Sequence, residues 1–301
     1  MRIKKGLILS YIIKKFILKR KVKAYRFLMD SFNLSMRDAQ RWIDKKRLVC
    51  EGVLVIKKPQ EIIGNIEVIV FEPSTRGLLP IFETRDFVIY DKPSGVLIHP
   101  SNRFTDYSLT HELKYRYGND ANITHRIDKE TSGLVVVAKC KAAEKEIKKL
   151  FESRAVSKTY LAYVRGKVSS KLFIDAPIMK NREFDIIKLK VQISLEGKSS
   201  QTIVEPLLYH DKEDMTLIKA TPLTGRQHQI RVHMFHVKHP IIGDPIYGVD
   251  VKVADDYLNG RLSEDDRVKL TGASRLMLHA NTIGFTYENR FEISSKMELL
   301  F

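Results

Sequence analysis

Cysteine is nearly absent from this chain of 301 residues: Cys50 and Cys140 are its two, far apart in sequence. Without a C-x-x-C pair, neither a disulfide scaffold nor a thiolate zinc site is expected, and a reducing compartment, the cytoplasm, fits. Long apolar runs are missing as well. None reaches the roughly 18 residues that cross a bilayer, so stable membrane insertion is not expected. Acidic residues do not occur before Asp30, in a stretch, MRIKKGLILSYIIKKFILKRKVKAYR, that mixes apolar with basic residues. Its apolar part, Leu7–Ile13, is cut off by Lys14-Lys15 with no small-x-small site behind it, which makes a poor secretory signal. Leu9, Ile12, Ile13, Phe16 and Ile17 can line one face of a helix with lysines elsewhere. That arrangement suits a helix on a membrane surface, a helix on RNA, or a basic tail that orders on a partner. The chain contains no internal repeat and no low-complexity segment.

What is present is an ordinary globular composition, 44% hydrophobic and 29% charged, with length for one sizeable core and a small accessory domain. The charge balance departs from the ordinary. Fifty-two Lys and Arg against 36 Asp and Glu leave a formal +16, which points first to a polyanionic partner, nucleic acid, and second to lysines that serve only solubility.

Residues from about Val22 to Glu72 read as two short helices followed by a small β unit. Ala24–Met29 carries apolar residues at helical spacing, and Ser35 is placed as an N-cap before a helix over Arg37–Ile43. Leu48–Cys50, a Glu51-Gly52 turn, Val53–Ile56 and Ile66–Phe71 follow as short strands. Arg37, Arg41 and Lys45 fall four apart and share one helical face, a surface for phosphates or merely a solvated one. Pro73, Gly77 and Pro80 mark a boundary near Ser74–Pro80. Beyond it, strands are expected over Asp86–Tyr90, Leu134–Ala138, Thr159–Val164 and Thr216–Ala220, with helices over Lys141–Glu152 and Gln227–His236.

The stretch HRIDKETSGLVVVAK, His125 to Lys139, sets Asp128 beside Arg126 and Lys129, just before a Thr-Ser-Gly turn and an apolar run. Neighbouring cations favour the ionised carboxylate, a nucleophile or base at neutral pH rather than a proton donor, although Glu130 offsets part of that field. A surface ion pair is the plainer use of R-x-D-K.

His125-Arg126-Ile127-Asp128 with Thr131-Ser132-Gly133 resembles the HRxDxxTSG signature of the RluA-like pseudouridine synthases. Four further stretches resemble that family in order and spacing. They are Asp91–Pro100 (DKPSGVLIHP), Lys158–Val164 (KTYLAYV), Thr224–His233 (TGRQHQIRVH) and Leu276–Ala280 (LMLHA), and the resemblance runs from about Val22 to Phe285. The order of helix, Ser-x-Arg helix and strand-turn-strand before it resembles the S4 RNA-binding domain, with Ser35-Met36-Arg37 where Ser and Arg are usually adjacent and Glu51-Gly52 where the turn is usually Asn-Gly.

The resemblance implies an α+β chain: a basic extension at 1–21, an S4-like RNA-binding domain at 22–76, and a catalytic domain at 80–301 whose mixed β-sheet carries a central cleft. It implies that specific uridines in RNA are isomerised to pseudouridine, without a cofactor or a metal, by a monomer. Asp128 would be the catalytic carboxylate, Tyr160 the ring that stacks on the base, with or without moving a proton, and Arg231 the ion-pair partner of Asp128. Arg126 would fill the space of an extruded base, or else pair with Asp128 or Glu130. His125, Arg226, Gln227 and His228 would contact substrate phosphate or ribose, and Leu278 would pack on the base.

Pseudouridine formation breaks and remakes a bond to the sugar with no water entering, so one carboxylate suffices, whereas a hydrolase usually needs a second. Glu130 is the only nearby second carboxylate and occupies a variable position of the signature. The histidines at 228, 233, 236 and 239 invite a metal site, but the spacing is not H-E-x-x-H and no acid falls among them. An S4-like domain ahead of this catalytic type resembles bacterial enzymes of large-subunit ribosomal RNA. Ala176-Pro177-Ile178 and Glu196-Gly197-Lys198 resemble the RluC-like branch, while Gly243–Gly248 (GDPIYG) is shared more widely, which leaves RluC-like and RluD-like branches both open. Alternatives are a synthase for transfer RNA, and a non-catalytic RNA-binding or ribosome-assembly factor on the same fold.

Overall fold

The computed structural model describes residues 11–100, 105–180, 187 and 190–300. In chain order the first elements are β1 (Tyr11–Lys23), α1 (Ala24–Phe32), α2 (Met36–Asp44), β2 (Leu48–Cys50), β3 (Val53–Leu54) and β4 (Glu61–Phe71). Next come β5 (Pro80–Glu83), β6 (Phe87–Lys92), α3 (Leu109–Tyr117), β7 (Asn122–Ile123), β8 (Ser132–Ala138), α4 (Lys141–Glu152), β9 (Ser157–Arg165) and β10 (Leu172–Asp175). The remainder is β11 (Ile178–Lys180), β12 (Val191–Ile193), β13 (Gln201–His210), β14 (Met215–Pro222), α5 (Gln229–His236), α6 (Val251–Leu258), α7 (Glu264–Thr271), β15 (Leu278–Tyr287) and β16 (Asn289–Ser294). The chain divides into two compact units, Met1–Ser74 with Pro100–Tyr107, and Thr75–His99 with Ser108–Phe301. Among the described residues, no helix is long and apolar enough to cross a membrane.

In the first unit an antiparallel sheet, ordered β1-β4-β2-β3, packs on the two helices around Ala24, Phe27, Leu28, Ile43, Leu48, Ile62 and Ile66. Ser35 caps α2 by accepting the Asp38 N–H at 3.2 Å. Glu51 and Gly52 both take positive φ, 48° and 76°, as a tight β2–β3 hairpin turn demands.

The basic N-terminal stretch departs from the helix and from the separate extension at 1–21 that its sequence suggests. Leu9 and the rest of 1–10 lie outside the described residues, but Tyr11–Lys23 is one strand, paired with β4 from Tyr11↔Phe71 to Lys23↔Glu61. The reason is that a period of two fits as well as a period of four: Phe16, Leu18 and Val22 pack on the core, while Ile13 and Ile17 are exposed. An available strand edge on β4 then decides the outcome, because its hydrogen bonds go to the extended form.

The second unit is built on a ten-stranded mixed sheet. Its main order is β10-β13-β14-β9-β15-β8-β6-β5, with β16 added on β15 and β7 on β8. Its core strands are apolar on both faces because both are covered. Phe87, Ile89, Leu134 and Val136 face Ala143 and Ile147 of α4, whereas Val88, Tyr90, Val135 and Val137 face Leu109 and Leu113 of α3. On the other half, Ile230 and Met234 of α5 lie against Val164, Ile218 and Ala220.

Between the halves, β15 and β8 form the single parallel pairing among the described strands of this sheet, Ala280 opposite Gly133. Gly133 has φ 106°, and a Cβ there would lie 2.3 Å from the Ala280 carbonyl oxygen, so the Gly of the Thr-Ser-Gly turn is what lets the halves join.

Candidate active site

Strand order brings distant motifs together. The adjacent β14, β9, β15 and β8 carry, in turn, the chain that leads into α5, Tyr160, Leu278, and the loop that ends at Ser132. Across them runs a register row in which Tyr160 is flanked by Ala220 on one side and Ala280 on the other, with Gly133 beyond. A large ring between three small residues leaves open space above the sheet. That space is a cavity of about 800 Å³, lined among others by Asp128, Tyr160, Arg231 and Leu278.

Asp128 sits on a loop held from below by the Asp91–Gly95 segment. Fully buried Lys92 donates to the carbonyl of Lys129 at 3.0 Å, the Gly95 N–H donates to the same oxygen at 2.9 Å, and the Ser94 hydroxyl donates to the carbonyl of Glu130 at 2.6 Å. Burial brings the Lys92 ammonium down to about 7. The Asp91 carboxylate accepts from the Ser295 hydroxyl and from the N–H groups of Lys296 and Met297. The motif thus builds a mount for Asp128 rather than a second reactive group.

Facing it, Arg231 on α5 is 2% exposed and divides its guanidinium between two carboxylates. Nε and Nη2 donate to Asp244 at 2.7 and 2.8 Å, and Nη1 donates to Asp128 Oδ2 at 3.2 Å. Asp244 is completed by the N–H groups of Ile246 and Tyr247 at 2.9 and 3.0 Å. Burial alone would neutralise both members; their mutual charge and hydrogen bonds outweigh it, raising Arg231 and lowering Asp244. The shorter pair of bonds goes to Asp244, and the single longer one orients Asp128.

The remaining sequence-derived residues fall into two groups. His228 occupies a left-handed position, φ 52°, at the head of α5. Its Nδ1 lies 3.1 Å from the Tyr247 hydroxyl and its Nε2 3.8 Å from Asp128. Burial, helped by Arg231, lowers it to about 4, so it is neutral near Asp128. Tyr160 is held protonated, since burial and the Asp128 charge both raise it. Leu278, 3% exposed, closes the cavity on the β15 side.

His125 lines the cavity, but its Nε2 accepts the Val136 N–H at 3.0 Å and its ring stacks on Phe151 at 4.3 Å. Burial, with Lys158 adding to it, lowers this imidazole to about 3. Arg126 lines the cavity and is exposed, and among the described residues it has no ion pair to Asp128 or Glu130. Arg226 donates from Nε to the Ser199 carbonyl at 3.2 Å. Gln227 is half-buried on the same turn and is not among the cavity's lining residues. Of the four clustered histidines, His233 bonds Thr202 and Ala176 and His239 bonds Arg165, each away from His228.

Three positioning residues escape a sequence reading. Asp244 holds Arg231, and its signal was the Gly243–Gly248 motif. Gln229, in the HQIR segment, accepts from the Thr224 hydroxyl at 2.6 Å and the Arg226 N–H at 3.0 Å, fixing the turn before α5. Arg267 on α7 donates from one nitrogen, Nη2, to Glu130 at 2.7 Å and to the Gly243 carbonyl at 3.0 Å. It therefore ties the loop of Asp128 to the turn of Asp244, and no local pattern announces it.

With this geometry in place, the comparisons with known proteins converge. The family model described as RNA pseudouridylate synthase matches residues 86–236. A Helicobacter pylori protein named as an uncharacterized RNA pseudouridine synthase is 38% identical over 292 residues, 96% of this chain and 95% of that one. The ribosomal large subunit pseudouridine synthase D of Pseudomonas aeruginosa is 32% identical over 222 residues, 69% of this chain and 67% of its own. Among solved structures, human RNA Pseudouridylate Synthase Domain Containing 1 is similar at a TM-score of 0.58 and 30% identity, covering 75% of this chain and 86% of that one.

Proposed function

We propose that this chain, which belongs to the RNA pseudouridylate synthase family and is therefore an RNA pseudouridine synthase, modifies specific uridines of large-subunit ribosomal RNA, with Asp128, Tyr160 and Arg231 as its catalytic residues. The observation that supports the site assignment is the Asp128–Arg231–Asp244 chain at the cavity: one buried guanidinium serves two carboxylates and orients the outer one. The isomerisation detaches the uracil from C1′ of the ribose, turns it, and joins C1′ to carbon 5 of the base. It needs one ionised carboxylate at the sugar and a closed, partly aromatic space for the loose base. Asp128 meets the first need and Tyr160 with Leu278 the second. Tyr160, protonated, is able to donate a hydrogen bond to the base and to stack on it.

The choice of large-subunit RNA is supported by the P. aeruginosa relative's name and by the cationic composition. RNA capture is assigned to the first unit as an S4-like module, with Arg37 and Arg41 exposed on α2. The same reading takes the chain as a monomer that works in the cytoplasm, and takes His125, Arg126, Arg226, Gln227 and His228 as substrate contacts.

The test is site-resolved pseudouridine mapping of ribosomal RNA from cells lacking the protein, and again after restoring wild type or Asp128→Asn. Particular pseudouridines that vanish and return only with wild type are the expected result. Unchanged ribosomal RNA together with lost pseudouridines in transfer RNA would move the substrate to transfer RNA. No change in either would remove the catalytic reading.

A further inference from the structure

The cavity continues past Asp128 to an end with a different electrostatic character. It is lined by Phe151, Arg154, Lys158, Gly225 and Arg226, with Arg126 at the junction. Lys158 is half-buried on β9 with its ammonium 5.7 Å from the centre of the Phe151 ring, which itself stacks on His125. A Cβ built on Gly225 would lie 3.9 Å from Lys158 Nζ, so the ammonium reaches the Thr224-Gly225-Arg226 turn. No carboxylate, carbonyl or hydroxyl among the described residues accepts a hydrogen bond from it, and Arg126 and Arg154 are equally without an ion pair. Other lysines of the same unit are treated differently: Lys139 pairs with Glu83, Lys148 with Glu144, and Lys171 and Lys219 with Glu205.

An ammonium taken partly out of water without a counter-charge destabilises the fold, and burial lowers its proton affinity here with nothing to offset it. Apart from water and the face of the Phe151 ring, its donors are left for an anion that comes from outside. The neighbouring imidazole of His125 is neutral and engaged with Val136, so it neither competes for that anion nor supplies one. The cavity, about 800 Å³, is large enough for a nucleotide with its flanking phosphates.

We propose that this end of the cavity is a phosphodiester subsite, with Lys158 as its anchor and Arg126 and Arg154 as its flanks, which grips an RNA backbone phosphate next to the uridine presented to Asp128. The identity of the anion as RNA rests on the pseudouridine synthase reading; the presence of an anion subsite does not. The subsite sets where along the strand the target sits, because a phosphate held at Lys158 fixes the reach of the neighbouring nucleotide.

The variants are Lys158→Met, which keeps the alkyl stem, and Lys158→Arg, which keeps the charge. Binding is measured against oligouridine and against the stem-loop found by pseudouridine mapping, at a series of salt concentrations. Lys158→Met is expected to bind on the order of tenfold more weakly at low salt and to lose about one phosphate's worth of salt dependence, a slope change of roughly 0.7 to 0.9. Lys158→Arg restores both. A single methylphosphonate linkage beside the target uridine weakens wild type and leaves Lys158→Met indifferent. Thermal unfolding supplies a readout with the opposite sign: Lys158→Met melts at the same temperature as wild type or higher, since it removes an unpaired ammonium, whereas a structural role for Lys158 lowers it. Unchanged salt slopes on both RNAs, or a fall in melting temperature with unchanged slopes, overturn the subsite. If wild type forms no pseudouridine in any RNA, the proposed function falls, while the oligouridine slopes still decide the subsite.

Discussion

The two ends of the cavity handle charge in opposite ways. At the Asp128 end, Arg231 and Asp244 are matched atom for atom and both are 2% exposed. At the Lys158 end, Lys158, Arg126 and Arg154 have no ion pair among the described residues. The difference separates two tasks. Charges that must hold one orientation through a reaction are locked by protein partners, at the expense of desolvation that only tight geometry repays. Charges that meet a mobile polyanion are left open, and the fold tolerates the local loss of stability. Substitutions at the first end should therefore lower both rate and stability, and substitutions at the second should lower affinity alone.

The largest effect is expected at Asp128 itself. Asp128→Asn keeps the shape and removes the charge, so turnover should fall by on the order of 10⁴ or more while RNA affinity stays within a few fold. Single-turnover pseudouridine release paired with filter binding measures both. A parallel loss of binding would place Asp128 on the side of the open charges.

Next comes Asp244, which never reaches substrate in this reading. Asp244→Asn leaves a buried guanidinium half answered, at a cost of roughly 3 to 5 kcal/mol in stability. It also lets Arg231 swing, with about a hundredfold loss in kcat. Denaturant unfolding and kcat on the same preparation test the claim that rate and stability fall together here; a fall in one alone would separate them.

Acid should act on both ends, through His228 beside Asp128 and His125 beneath the Lys158 end. His228 and His125 are lowered to about 4 and about 3, against 6.5 for the unfolded chain. Below pH 6.5 the unfolded chain takes up protons that the fold refuses, so stability drops as pH falls toward 4 and is fully present above 6.5. Melting temperatures from pH 7.5 to 4.5 should show that decline, and His125→Gln, which keeps an acceptor for Val136, should flatten it. A flat wild-type profile would mean that neither imidazole is held neutral.

The legible and illegible parts of the site divide along a related line. Asp128, Tyr160 and Arg231 could be named together from sequence because each lies in a motif that carries the family resemblance, and the fold brings the three to one cavity. The helices at Ala24, Met36 and Lys141 were readable because caps and spacing are local. What local sequence does not contain is a partner far along the chain. The basic N-terminal stretch reads as a helix or a tail, and Tyr11–Lys23 is a strand because β4, some forty residues later, offers an edge. Arg267 shows no motif because its meaning lies in Glu130, 137 positions away. The Gly243–Gly248 motif was visible, but its purpose appears only when Asp244 closes on Arg231.

Arg267 provides the smallest effect and the sharpest limit on the comparison between the two ends. It touches neither Asp128 nor Arg231, yet one nitrogen joins Glu130, two residues from Asp128, to the carbonyl of Gly243, one residue from Asp244. Burial would raise the Glu130 carboxyl, but the Arg267 charge and hydrogen bond carry it below the usual range, so the carboxyl is ionised throughout the neutral window. Arg267→Ala should then relax the separation of the two carboxylates that share Arg231, lowering kcat by about tenfold with KM nearly unchanged. Glu130→Gln should cost less, because Gln still accepts. The double variant should be no worse than Arg267→Ala, the non-additivity expected of one connected contact. If the two losses multiply, Arg267 acts on something other than Glu130; if KM rises instead, α7 belongs to the open, RNA-gripping side of the cavity and the division drawn here runs through a different place.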